Sequence, residues 1–341
     1  MYPRREEGSD RYGYWARNGW AIDPQFCYAH TFVSGYAAVE LADGRYGLIE
    51  TDGTLHPLDA ICGGRTPIRD EEISCFTGFG DCDSQPSRYA TVWTENRGRR
   101  EWGLIDTNLA YRPLADDVFS TADHVKTCGD YVVVIRDHGP GHESSWGLFN
   151  LSDMRLELPV EYWCVYPSRE SIWVVARAIG DHQQRSAFYD VRKREFISGW
   201  FWEAVPFSCG FGAIREGEMR GRSYFVDESL RPAFDADFDD VGRFSYGLAA
   251  VYKGSDAGYI DTTGRMRLLL PYVDMEPFNR FGLALANRDD LEWDIDVIDR
   301  TGRPRLAGLE SASFWDGDFP HYTVTMSGED HLFDVDLNMI F

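Results

Sequence analysis

Phe244-Ser-Tyr-Gly-Leu-Ala-Ala-Val251, Ala257-Gly-Tyr-Ile-Asp261, Thr262-Thr-Gly264 and Arg265-Met-Arg-Leu-Leu-Leu-Pro271 follow one another in the second half of the chain. Leu248 and Ala250 alternate with Ala249 and Val251, the period of a strand with two faces. Gly264 closes a turn, where a residue without Cβ accepts positive φ. Asp261 stands where a side chain can accept hydrogen bonds from turn amides. The stretch therefore reads as a β-meander of three strands, with a short further strand at Asp240-Val-Gly-Arg-Phe244.

The same order of residues returns on both sides. Phe278-Asn-Arg-Phe-Gly-Leu-Ala-Leu-Ala286 leads to Asp296-Val-Ile-Asp299 and Arg300-Thr-Gly302, and Phe207-Ser-Cys-Gly-Phe-Gly-Ala-Ile214 leads to Ser223-Tyr-Phe-Val-Asp227. Looser copies are Phe32-Val-Ser-Gly-Tyr-Ala-Ala-Val39 with Tyr46-Gly-Leu-Ile-Glu50, Trp102-Gly-Leu-Ile-Asp106, Trp146-Gly-Leu-Phe-Asn150, Ala187-Phe-Tyr-Asp190 and His331-Leu-Phe-Asp334. The acidic or Asn position recurs at 50, 106, 150, 190, 227, 261, 299 and 334, at intervals of 56, 44, 40, 37, 34, 38 and 35. A period settling in the upper thirties marks a repeat architecture.

These units resemble the WG (KWG) repeat found in many bacterial proteins, over roughly residues 30–341. Only two units keep Trp-Gly itself, and the unit at 164–200 keeps little beyond its strand pattern. The resemblance implies a binding or structural module and no particular activity.

The fold class is all-β, with about eight tandem antiparallel meanders in one array: residues 31–341 hold the repeats, and 1–30 supply an N-terminal strand. The apolar strand Leu337-Asn-Met-Ile-Phe341 would be an exposed edge in an open rod. Pairing it with Tyr12-Gly-Tyr-Trp-Ala16 would hide it, which favours a propeller-like ring over an open β-solenoid. Composition agrees: apolar residues make up 43% and aromatics 15% of 341 residues, enough for a continuous sheet-rich core.

Fifty-six Asp and Glu against 34 Lys and Arg leave a formal net charge of −22. That charge repels phosphate backbones and anionic membranes and favours a basic protein as partner. No apolar run is long enough to span a membrane. The N-terminal Met1-Tyr-Pro-Arg-Arg-Glu-Glu-Gly-Ser-Asp10 lacks the apolar stretch of a secretory signal. The seven cysteines, 27, 62, 75, 82, 128, 164 and 209, form an odd set without Cys-x-x-Cys. They read as free thiols in a reducing compartment, the cytoplasm.

Sequence signatures of chemistry are thin. There is no G-x-S-x-G nucleophile elbow and no phosphate loop, and no cofactor is expected. Asp116-Asp117 and Asp239-Asp240 precede similar apolar residues and read as turn residues at one repeat position. Asp235-Ala-Asp-Phe-Asp-Asp240 resembles the start of a calcium loop, but Asp240 replaces the required Gly and Tyr246 the closing Glu. His138-Gly-Pro-Gly-His142, followed by Glu143, could align two imidazoles only on a helix, which Gly139-Pro140-Gly141 forbids. No metal is expected.

The reading is a non-enzymatic protein-binding scaffold, in its sharpest form an immunity or antitoxin-like protein that neutralises a basic toxin. The alternatives are a carbohydrate- or cell-wall-binding repeat protein, and a hydrolase with carboxylates in a central channel. Partner contacts are assigned to loops that depart from the repeat: Asp81, Asp83, Asp289, Asp290, Glu292 and Asp294, with His138 and His142 of the 137–143 insertion.

Overall fold

A computed structural model describes residues 1–16, 18–67, 89–139, 144–168, 170–180, 183–217, 221–288 and 294–340. The fold is all-β. Among the described residues nine separate antiparallel sheets, of three or four strands each, follow one another, and in every sheet the strand order is the chain order. Helix among the described residues amounts to Leu58–Ile61 and a 3-10 turn at Asp117–Thr121. Because the strand ladders of each repeat stay within it, the sheets are blades of the β-propeller type; a solenoid would join successive turns into one sheet.

The seventh blade shows how the residues make the element. Its strands are Asp240–Val241, Leu248–Lys253, Asp256–Asp261 and Met266–Leu270. Ser245 and Leu248 exchange backbone hydrogen bonds of 2.7 and 3.1 Å around Tyr246 (φ 48°) and Gly247 (φ 84°). Two positive φ values in a two-residue loop match the right-handed strand twist, hence the glycine of F-x-x-G. Ser34 (φ 55°) and Gly35 (φ 86°) build the same turn in the second blade.

Alternation then divides the strand between two interfaces. Leu248 and Ala250 join a cluster with Tyr259, Phe278 and Ile298 of the seventh and eighth blades, whereas Ala249 and Val251 join Phe225, Phe244 and Ile260 in one with the sixth. Leu248, Val251, Ile260, Leu283 and Ile298, the positions the period marks as core, are all buried. The glycine of Trp102-Gly103 and of Ala257-Gly258 has a separate cause. A Cβ at Gly258 would lie 2.0 Å from the Leu268 carbonyl, and one at Gly103 would lie 2.3 Å from the Tyr111 ring. The outer strand crosses too closely for any side chain there.

The described residues divide into two compact units: the first four blades together with Asp316–Pro320, and the remaining five blades. Within the first, clusters join blades one to two, two to three and three to four. Within the second, they join five to six through to eight to nine. In the first unit, Asp318 ties a distant segment to the second blade: its N–H donates to the Phe32 carbonyl (3.0 Å), and its carboxylate accepts from Ser34 and Gly35 N–H at 2.9 and 2.5 Å.

One expectation is refined and two change. Nine blades stand among the described residues, close to the expected eight or so, the further one arising because Tyr2–Arg5, Tyr12–Ala16 and Gly19–Phe26 form a blade of their own. Tyr12–Ala16 is its central strand and is not left over for the C-terminus. The C-terminal residues instead complete the ninth blade, with Ile340 N–H donating to Leu332 C=O at 2.7 Å and a bridge between Phe333 and Met339. Finally, the counterpart of Asp239-Asp240 is Asp123-His124, not Asp116-Asp117. Asp123 and Asp239 each donate their N–H to the second strand, and their carboxylates accept from Asp137 and Gly254 N–H respectively.

Candidate functional site

The recurring acids have structural duties. Oδ1 of Asp106, Asp227, Asp261, Asp299 and Asp334 accepts the N–H groups of residues i+2 and i+4. Asp190 accepts from i+2 and i+3, and Asn150 from i+2. Those bonds favour the carboxylate. Asp227 is held below the ordinary aspartate range first by the Arg231 N–H, and Asp261 first by the Thr263 hydroxyl. The calcium-like run is occupied in the same way: Asp237 faces Lys253 and Arg222, Asp239 accepts from Gly254, and Asp240 pairs with Arg215. Among the described residues no three His, Cys, Asp or Glu are grouped to hold a metal ion.

Two hairpin loops depart from the repeat, each joining the second and third strands of its blade. In the fourth blade the strands are Tyr131–Arg136 and Ser145–Asn150. Asp137 knots the base of this loop: Oδ2 lies 3.0 Å from His124 Nε2, and the Ser144 hydroxyl donates to Oδ1. That Ser144 bond, with the charges of His124 and His138, holds the Asp137 carboxyl below its usual range. His138 turns back onto its own hairpin, with Nε2 2.7 Å from Ser145 Oγ.

In the eighth blade the strands are Leu283–Asn287 and Ile295–Asp299. Asp294 lies 3.9 Å from the Arg288 guanidinium, which also donates to Asp296 Oδ2 at 3.0 and 2.5 Å. Asp296 is wholly buried and accepts further bonds from the Tyr272 hydroxyl (2.7 Å) and Gly308 N–H (3.0 Å). A buried charge so fully paired is a strong tie, and removing either partner would strand the other. Asp294 therefore sits at the rim of a structural network. Asp81, Asp83, His142, Asp289, Asp290 and Glu292 lie outside the described residues.

Four functional candidates escaped the sequence reading. Arg177 and Arg185 stand directly opposite each other in the fifth blade, and their guanidinium carbons lie 4.1 Å from the Trp200 ring and 4.2 Å from the Trp202 ring. The alternation Trp200-Phe201-Trp202 was visible in the sequence; the arginines above the indoles were not. Of the five described cysteines, Cys62 and Cys164 are buried and Cys209 is exposed at a turn. Burial pushes the Cys62 and Cys128 thiols up to about 12 and about 11, as inert core thiols require.

Chain-ordered antiparallel blades, stacked through their side chains and closed by aspartate-capped turns, define a repeat protein of the β-propeller type. The family model of the WG containing repeat matches residues 17–46 and 225–255. Two stretches of the chain, one in each half, thus carry the WG containing repeat. No curated protein sequence matches it. Among solved structures it is similar to a eukaryotic initiation factor, at 13% identity over 99% of this chain and 94% of that one, with a TM-score of 0.56. It is also similar to an uncharacterized protein from Listeria monocytogenes (13% identity, 80% and 94% covered, TM-score 0.44). A third is the β-propeller domain of the Trilobed protease from Pyrococcus furiosus (11% identity, 74% and 90% covered, TM-score 0.43). At such identities the likeness is one of fold alone, and the first comparison carries it. Among the described residues no helix is long and apolar enough to cross a membrane.

Proposed function

We propose that this chain is a non-catalytic scaffold that binds a basic protein, in its sharpest form an immunity or antitoxin-like protein occupying a basic toxin. The observation that carries the reading is how the carboxylates divide. Those at repeat positions are engaged in capping turns, as at Asp227, Asp261 and Asp299, while 56 acids still outnumber 34 bases. A further run of carboxylates stands where the repeat is interrupted, at Asp289, Asp290, Glu292 and Asp294. A rigid body with loops of one charge sign attracts an oppositely charged partner and speeds its docking.

The carbohydrate alternative draws less support. Sugar binding needs bare indole faces, and cations lie over those of Trp15, Trp146, Trp200 and Trp202, from Arg4, Lys126, Arg177 and Arg185.

The test is a pull-down from a lysate of the source organism at low and high salt, with mass spectrometry of the eluate. A basic protein released by salt is expected, and its capture should weaken when Asp289, Asp290, Glu292 and Asp294 are changed together to their amides. An acidic or salt-indifferent partner, or none, would overturn the reading.

A further inference from the structure

In a chain with 22 excess negative charges, cations are expected to find carboxylates, and several do. Arg215 pairs with Glu203 and Asp240, Arg288 with Asp296, and Lys253 with Asp237. Arg177 and Arg185 of the fifth blade do not. They are directly opposed in the antiparallel register of Ile172–Gly180 and Gln183–Asp190, so both leave the same face of the sheet. Two like charges placed opposite each other oppose folding. Among the described residues, Arg185 has one polar contact, Nη1 to the Gln184 carbonyl at 3.1 Å, and Arg177 has no ion pair.

What holds these arginines is aromatic. Phe201 and Ser186 exchange backbone hydrogen bonds of 2.8 and 3.0 Å, laying 200–202 beside the second of the two strands. Phe201 turns inward onto Phe188, and alternation sends Trp200 and Trp202 to the opposite side. Each indole carries one guanidinium, Arg177 on Trp200 and Arg185 on Trp202. Stacking engages the face of a guanidinium and fixes its plane, but leaves the in-plane N–H donors available. Two forks are thus held side by side, with no carboxylate partner among the described residues.

We propose that Arg177 and Arg185, held on Trp200 and Trp202, form a binding site for a phosphomonoester group. The charge match selects this oxyanion: a phosphomonoester carries close to two negative charges at neutral pH and three acceptor oxygens, enough for both forks. A carboxylate would neutralise only one. The remaining excess of acid elsewhere does not prevent binding, since charges beyond about 8 Å are largely screened at physiological salt. The site is independent of the basic-protein reading and goes beyond it.

The phosphate could be borne by a modified protein or by a small metabolite, and two probes separate these sources. A blocked phosphoserine tripeptide and adenosine monophosphate are titrated calorimetrically at constant ionic strength and about pH 7.5, where the group is dianionic. The unphosphorylated tripeptide and adenosine serve as controls. The expected result is saturable binding of at least one phosphorylated probe and none of its control. Arg177→Gln and Arg185→Gln, examined separately so that a folding defect in one leaves the other informative, should each weaken it about tenfold or more. The circular dichroism spectrum should be unchanged. Failure of both phosphorylated probes to bind would overturn the proposal, as would binding that survives in a folded double variant.

Discussion

Single residues in this chain act through close approach and through charge. Gly258→Ala places a methyl group 2.0 Å from the Leu268 carbonyl, so the outer strand must move. Overpacking of this kind costs about 1–3 kcal/mol and sometimes more. The expected outcome in urea melts is a clear loss of stability, and an unaltered midpoint would mean that the crossing strand gives way freely. The turn aspartates make the second prediction. Asp227 and Asp261 have carboxyls held below the ordinary value of 3.8. A depressed folded pKa adds stability that is present above the unfolded value and lost as pH falls through the folded one. Melting temperature should therefore fall with acidification below about pH 4. Asp227→Asn/Asp261→Asn should flatten that fall and lower neutral-pH stability modestly, because an amide oxygen still caps the turn but the carboxylate's added stability is gone. The Asp role was legible in the sequence from its recurrence; the glycine's was not, since the atom it avoids lies on the next strand.

Between elements, one contact recurs at the joints of blades. Tyr259 is buried, donates its hydroxyl to the Glu276 carbonyl at 2.7 Å, and packs its ring 4.6 Å from that of Phe278. In the first unit Tyr14 does the same with the His30 carbonyl (2.9 Å) and Phe32 (4.6 Å). The hydroxyl thus pins one blade to the strand that opens the next. Tyr259→Phe and Tyr14→Phe keep the ring and remove the bond, so each should cost about 1 kcal/mol in chemical denaturation. Hydrogen exchange should rise locally at the joint. A neutral result at both would assign blade stacking to the rings alone. Tyr12-Gly13-Tyr14 also explains why a ninth blade escaped the sequence reading. Its Gly13-Tyr14 matches Gly258-Tyr259, and a Cβ at Gly13 would fall 2.5 Å from the Ile22 carbonyl. No F-x-x-G turn precedes it, so the periodic count began one blade late.

At the scale of the molecule, the C-terminal segment belongs to the ninth blade: Asp334 N–H donates to the Asn338 carbonyl at 2.9 Å and Ile340 N–H to Leu332. Removing residues 337–341 should raise hydrogen exchange in His321–Met326 and Glu329–Asp334 and leave Tyr12–Ala16 unaffected. Loosening of both would mean that the segment also supports the first blade. What the sequence by itself determined is the all-β class, the two-faced core strands and the capped turns. Alternation, turn chemistry and the repeat period all act over short stretches that can be read in order. What only the tertiary structure decided are contacts between residues far apart in the chain. They include Asp318 on the Ser34 and Gly35 amides, Tyr272 on the buried Asp296, and the arginines resting on Trp200 and Trp202. These partners depend on register and blade packing, which bring together side chains that no local pattern relates.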